Sequence, residues 1–259
     1  MENLDAPRTV EGAADDILRT LERFGLHSDE TVMYQSQRTA AYQAVLRILQ
    51  QDGMAYPCAC SRKEIADSVL HGIEGQIYPG TCRNGLSPDK QARTMRVRTH
   101  SRPITFDDAV QGHFTQSLEN DIGDFVVRRA DGLFAYQLAV VIDDALQGIT
   151  HVVRGADLLA STPRQIHLQH LLNFPTPAYM HLPIAVNAQG EKLSKQTLAA
   201  PVTSGQPVAT LLQVLTFLQQ NPPAELAGND LTTLWNWAIP HWNTKNLAGI
   251  KAGLSWPRE

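Results

Sequence analysis

Two short segments carry the residue types that could do chemistry. Lys192-Leu193-Ser194-Lys195 sets two ammonium groups and a hydroxyl side by side, a combination that on a loop suits the phosphates of ATP. The other segment is rich in thiols. Cys58 and Cys60 are separated by one alanine, Cys82 follows, and the chain holds no further cysteine. An odd number of cysteines in one cluster argues against a disulfide scaffold and for reduced thiols able to bind a metal. His71, between the pair and the third thiol, adds an imidazole to the available ligands.

Elements that could hold these groups follow from periodicity. Residues 10–24 space Ile17, Leu18, Leu21 and Phe24 on one helical face, and Gly25 stands where a left-handed C-terminal cap belongs. A second helix is predicted over Arg38–Gln51, with Tyr42, Val45, Leu46 and Leu49 inward and Gly53 closing it. Thr31–Tyr34 reads as a short strand, so helix and strand alternate as in a parallel α/β layer. From Tyr56 to about Gln116 the alternation lapses, the mark of an insertion. Within it Thr94–His100 alternates like a half-exposed strand, with Arg96, Arg98 and His100 on a solvated side. Strands are predicted at Phe125–Arg129 and Leu133–Ile142, turned by Ala130-Asp131-Gly132. Thr162-Pro163-Arg164-Gln165 reads as a capping box, with an N-cap hydroxyl and a glutamine reaching back to it. Residues 201–259 form a helical tail, its interior built from Leu211, Leu212, Leu215, Leu218, Leu231 and Leu234 with Trp235, Trp237 and Trp242.

With 259 residues, 43% of them hydrophobic, the chain can bury a substantial core, which excludes global disorder. The formal charge of −4 gives no global attraction to nucleic acid, so RNA binding would rest on a local basic patch. No apolar run approaches the ~18 residues of a membrane span, and no basic-then-apolar leader is seen. A cytoplasmic protein without membrane partners is the expectation.

Three blocks resemble a known family. They are Asp124–Asp144, Val152-Val153-Arg154-Gly155-Ala156-Asp157-Leu158, and Lys192–Gln196. In order and spacing they are similar to the class I glutamyl-tRNA synthetases over most of residues 1–200, and above all to shortened paralogues that glutamylate queuosine in tRNA(Asp). The resemblance implies an α/β, Rossmann-type core with an inserted zinc-containing subdomain and a short helical C-terminal tail. Residues 1–55 and 117–200 would be the two parts of the core, 56–116 the insert and 201–259 the tail. It implies a monomeric enzyme that activates L-glutamate with ATP, with Mg2+, and passes it to tRNA(Asp) carrying queuosine. The family's His-x-Gly-His-type motif is not found within residues 1–259, so either the start is set too late or the chain is a fragment, and residues 1–259 alone are expected to bind ATP poorly and show little exchange. Two rivals stand: a fragment of an ordinary glutamyl-tRNA synthetase, or a tRNA-binding remnant without nucleotide chemistry.

Site roles follow from the same resemblance. Glu2 would contact the substrate ammonium, and Arg154 the side-chain carboxylate, with Tyr136 orienting it. Lys195 would meet the ATP phosphates, assisted by Lys192. Asp143 and Asp144 are read as structural rather than as magnesium ligands. Cys58, Cys60, Cys82 and Tyr78 would complete a zinc tetrahedron, with His71 as rival for the fourth place. Separately from the resemblance, an acidic chain has to meet RNA through a compact local groove, for which Arg96, Arg98 and the insert are the candidates.

Overall fold

A computed structural model describes residues 1–259 except 6, 8, 67–70, 73–74, 195–198, 200–201, 203–204, 251–253 and 256–259. Its elements, in chain order, are α1 (Ala13–Arg23), α2 (Thr39–Gln51), β1 (Ala55–Cys58), α3 (Arg62–Ala66), β2 (His71–Gly72), β3 (Gly75–Gln76), β4 (Thr94–Val97), β5 (Ile104–Asp108), β6 (Gly112–Gln116), α4 (Leu118–Asp121), β7 (Phe125–Arg128), α5 (Tyr136–Leu146), β8 (His151–Gly155), α6 (Thr162–Leu171), β9 (Ala178–Leu182), β10 (Ala185–Val186), α7 (Pro207–Phe217), α8 (Leu231–His241) and β11 (Leu254–Ser255). Two sheets carry the site. One is four-stranded, in the order β6-β5-β9-β8, with β5, β9 and β8 parallel and β6 an antiparallel edge. The other is antiparallel, in the order β1-β4-β7. β8, α6 and β9 form a strand-helix-strand unit, the connection that parallel neighbours require.

The main core lies among α2, α5, α6 and the sheets. Tyr42, Leu46 and Leu49 of α2 are buried at helical spacing, as the sequence predicts, and pack with Val97, Phe125, Val127, Leu138, Ile142, Ile166 and Leu168. A second, separate apolar cluster unites the two ends of the chain. Phe24, just after α1, packs with Leu211, Leu215, Leu226, Leu234 and Ala238, and the Trp235 indole donates to the Phe24 carbonyl at 2.8 Å.

Several expectations are corrected. Leu133–Ile142 is not a strand. The tight turn forms, since the Arg129 amide donates to the Leu133 carbonyl and Arg128 pairs with Phe134, but α5 then begins at Tyr136. Leu138 to Asp143 of α5 are all buried, so the helix is apolar on every side, and such a run has no periodicity to distinguish it from a strand. Thr31–Tyr34 is irregular; Met1 bonds the Met33 carbonyl and, just beyond the segment, accepts the Gln35 amide. Ile17 is 50% exposed and Leu21 40%, because α1 leans on the tail through Phe24 instead of through that face. In the tail, Trp235 and Trp237 pack on the second cluster while Trp242 is exposed. Arg96 is buried, not solvated. Strands of the 56–116 stretch enter both sheets: β1 and β4 join β7, and β5 joins β9. No helix among the described residues is long and apolar enough to cross a membrane.

Candidate functional site

Parallel α/β sheets gather ligands at the carboxyl ends of their strands, where loops and helix starts converge. Arg154 stands at that end of β8, and its register partner in β9 is His181. The guanidinium is tied down on several sides. Its Nε donates to His181 Nε2 at 3.1 Å, and its Nη2 donates to Thr162 Oγ1 at 2.9 Å and Gln165 Oε1 at 2.7 Å. Its Nη1 reaches the Tyr136 hydroxyl at 3.4 Å. Thr162 and Gln165 therefore do not form the predicted capping box. Ser161 occupies the N-cap position of α6 without a side-chain cap bond, and the two polar ends of the first turn serve Arg154 instead.

A guanidinium has five N–H donors, and these contacts occupy four among the described residues. One Nη1 hydrogen is left for a ligand. The Tyr136 hydroxyl accepts from Arg154, so its own proton is available as well. An arriving carboxylate would thus meet one charge-assisted donor and one phenol rather than a symmetric fork.

Two carboxyl groups face this cation. Burial raises Glu2, while the N-terminal ammonium and then Arg154 pull it back down. Burial also pushes Asp144 up to about 6; Arg154 opposes this, and Glu2 and Asp143 add to it. Tyr136 is raised by burial and next by Glu2. The neighbouring Asp143 has a different fate. Buried, it accepts from Gln35 Nε2 at 3.0 Å, Tyr42 Oη at 2.7 Å and Arg38 Nε at 2.6 Å, so it stitches α5 to α2. The expectation that both aspartates are structural fits Asp143, whereas Asp144 belongs to the polar site. A cavity of about 480 Å3 opens beside Glu2 and Asp144, with Asp29, Glu30 and Gln147 also on its wall. Its acidic lining suits an ammonium group, not phosphate.

Lys192 ends the hairpin that follows β10, and its ammonium pairs with the Asp157 carboxylate. Gly155 makes room for that carboxylate, since a Cβ there would collide with Asp157 Oδ1. Lys195 lies outside the described residues.

The thiols do converge. The Sγ atoms of Cys58, Cys60 and Cys82 lie within 4.8 Å of one another, with Cys60 and Cys82 at 3.6 Å. Tyr78 Oη sits 3.4 Å from Cys58 Sγ and 3.9 Å from Cys60 Sγ, and it also accepts the Cys82 amide at 2.8 Å. Tyr78 is held there by its pairing with Gly123, whose φ of 74° and lack of a Cβ allow the backbones to touch. Arg96 stacks on the Tyr78 ring at 3.9 Å and donates to Cys58 Sγ at 3.4 Å and the Asp124 carbonyl at 2.7 Å. Burial raises the Cys58 thiol, but the bonds from Tyr78, the Cys60 backbone and Arg96 outweigh it and bring it down to about 7. Burial, Cys82 and the Cys58 charge push Cys60 up to about 11. Three thiols and a phenol oxygen at this spacing fit one tetrahedral ion such as zinc. The His71 side chain lies outside the described residues.

The sequence reading missed His181, Thr162 and Gln165 as partners of Arg154, and Asp144 beside it. Nothing in spacing could have found them, because they come from three separate elements.

Comparison with known proteins identifies the family and the fold. Residues 1–210 match the family model described as tRNA synthetases class I (E and Q), catalytic domain. The Glutamyl-Q tRNA(Asp) synthetase of Aromatoleum aromaticum is 56% identical over 243 residues, 94% of this chain and 77% of that protein. The one of Dechloromonas aromatica is 56% identical over 93% of this chain and 81% of its own length. Among solved structures, a glutamate tRNA ligase from Elizabethkingia meningosepticum in complex with its amino acid shares the fold, with a TM-score of 0.75 at 21% identity. The alignment covers 99% of this chain and 59% of that one.

Proposed function

The chain belongs to the class I tRNA synthetases for glutamate and glutamine, and on that premise we propose that it activates L-glutamate with ATP and transfers it to queuosine in tRNA(Asp). The observation that carries the proposal is one guanidinium pre-oriented by hydrogen bonds, with two carboxyl groups, the surface-reaching Glu2 and the half-buried Asp144, within its electrostatic influence. Glutamate offers the matching charges. Its side-chain carboxylate would take Arg154 and Tyr136, and its ammonium would take Glu2 and Asp144.

So held, the α-carboxylate attacks the α-phosphorus of ATP. A C–O–P linkage forms, the bond to the β-phosphate breaks, and pyrophosphate leaves. Lys195, assisted by Lys192 once it releases Asp157, would neutralise the charge that accumulates on the departing phosphates, alongside Mg2+ brought with ATP. A hydroxyl of the tRNA nucleoside then takes the glutamyl group and AMP leaves. The relatives' names support the choice of acceptor. Cys58, Cys60, Cys82 and Tyr78 would hold zinc as a closed structural site, with residues 56–116 as the subdomain it stiffens between the core parts 1–55 and 117–200.

Protein extended upstream in frame to carry the His-x-Gly-His-type motif should show glutamate-dependent exchange between ATP and pyrophosphate, and should transfer labelled glutamate to queuosine-containing tRNA(Asp). The absence of exchange would overturn activation. Charging at the 3′ end of tRNA(Glu) would overturn the acceptor.

A further inference from the structure

Behind Arg154 lies a fully enclosed pair. His181 and Asp108 both have side-chain exposures of 0%, and His181 Nδ1 meets Asp108 Oδ2 at 2.6 Å. Asp108 ends β5, and its other oxygen accepts the backbone amides of Val110 at 3.0 Å, Gln111 at 2.9 Å and His181 at 3.1 Å. Four donors converge on one carboxylate, which holds it ionised and fixed in direction; its pKa is lowered despite burial.

The protonation of the imidazole follows from its neighbours. A guanidinium can only donate, so the His181 Nε2 facing Arg154 Nε must carry a lone pair. The single ring proton then sits on Nδ1 and points at Asp108. Thr162 Oγ1, 3.2 Å from the same Nε2, accepts from Arg154 Nη2, so both atoms on that side of the ring hold the guanidinium plane.

We propose that His181 is a positioning residue for substrate recognition: Asp108 selects its Nδ1–H tautomer, and that tautomer fixes the Arg154 guanidinium so that Nη1 and Tyr136 are presented to a carboxylate. The proposal rests on the reading of Arg154 as the group that meets the glutamate side chain. A tautomer chosen by a buried carboxylate is the same logic that orients the histidine of a Ser-His-Asp triad, applied here to a cation. It also gives β5 a part in recognition through Asp108, whose side chain is fully enclosed.

Asp108→Asn tests this with almost no change of shape. An amide NH2 facing Nδ1 forces the ring proton to Nε2, where it opposes the Arg154 N–H. The KM and Kd for glutamate should rise about 10-fold, with kcat changed less than about 3-fold. His181→Gln restores an acceptor for Arg154, so placed in the Asp108→Asn background it should recover part of that loss. Nitrogen-15 spectra of the full-length protein should show His181 protonated on Nδ1, and on Nε2 in Asp108→Asn, with the Arg154 Nε–H losing its exchange protection. A wild-type ring protonated on Nε2 would overturn the proposal, as would a reversed tautomer with glutamate affinity unchanged. If the wild type binds no glutamate at all, the functional reading falls, while the ring-nitrogen and Arg154 signals still decide whether Asp108 orients the pair.

Discussion

The arginine site and the thiol site are built in opposite ways. The thiol site draws its four groups from Cys58, Cys60, Tyr78 and Cys82, one stretch of chain. The arginine site collects Glu2, Tyr136, Asp144, Arg154, Thr162, Gln165 and His181 from the first residues of the sequence, the starts of α5 and α6, the last turn of α5 and two strands. A local site can persist while distant packing loosens, because a bound ion supplies its own folding free energy. A dispersed site exists only when the whole core is assembled. Its precision comes from side chains already hydrogen-bonded to one another, so little is left to order when substrate arrives.

Breaking each region separately should sharpen that contrast. The largest effect is expected at the phosphates: Lys195→Ala should slow ATP–pyrophosphate exchange by about 10²–10³ with the fold retained, measured alongside circular dichroism. Next, Arg154→Ala should raise the glutamate requirement by about 10²-fold, and Arg154→Lys should do little better, since a point charge cannot satisfy His181, Thr162 and Gln165 together. Equal glutamate KM values in wild type and Arg154→Ala would remove Arg154 from the site. At the thiols, elemental analysis should find about one zinc per chain. Cys82→Ser should lose the metal and lower the melting temperature by about 5 °C or more, with a smaller loss of glutamate affinity than Arg154→Ala.

A pH series probes the carboxylates. Asp144 is raised to about 6, so its charge, and with it part of the attraction for the substrate ammonium, should fade as pH falls through 6. Asp144→Asn should flatten that dependence. The stability effect has the opposite sign. Because the folded-state value lies above the unfolded one, the contribution of Asp144 is fully present below the ordinary aspartate range and is lost as pH rises through about 6. The smallest effect is expected from His71→Ala, which should leave zinc content unchanged if Tyr78 completes the site.

The same contrast explains what could be read from the sequence. Cys58, Cys60 and Cys82 announce themselves by type and proximity, and the structure brings their sulfurs together. The stripe of α2 was legible because one face is buried and the other is not. α5 was not, because burial on every side erases the period that separates helix from strand. Thr162 and Gln165 misled for a related reason: the residue types that cap a helix are also those that hold a buried guanidinium, and only the position of Arg154 decides between the two. Arg96 has the charge of a surface residue, yet Tyr78, Cys58 and Asp124 give it partners inside.

The bond from Trp235 to Phe24 spans 211 positions of sequence. On the ribosome, α1 and Phe24 emerge well before Leu211, Leu215 and Leu234, so the apolar contacts of Phe24 with them do not yet exist. At elongation speeds of about 5–20 residues per second the wait is about 10–40 s. During that time Phe24, together with Ile17 and Leu21, which stay exposed even in the finished fold, presents an uncovered apolar strip on the nascent chain. Synthesis of this chain therefore favours a holdase at α1, with release only once α8 has left the exit tunnel.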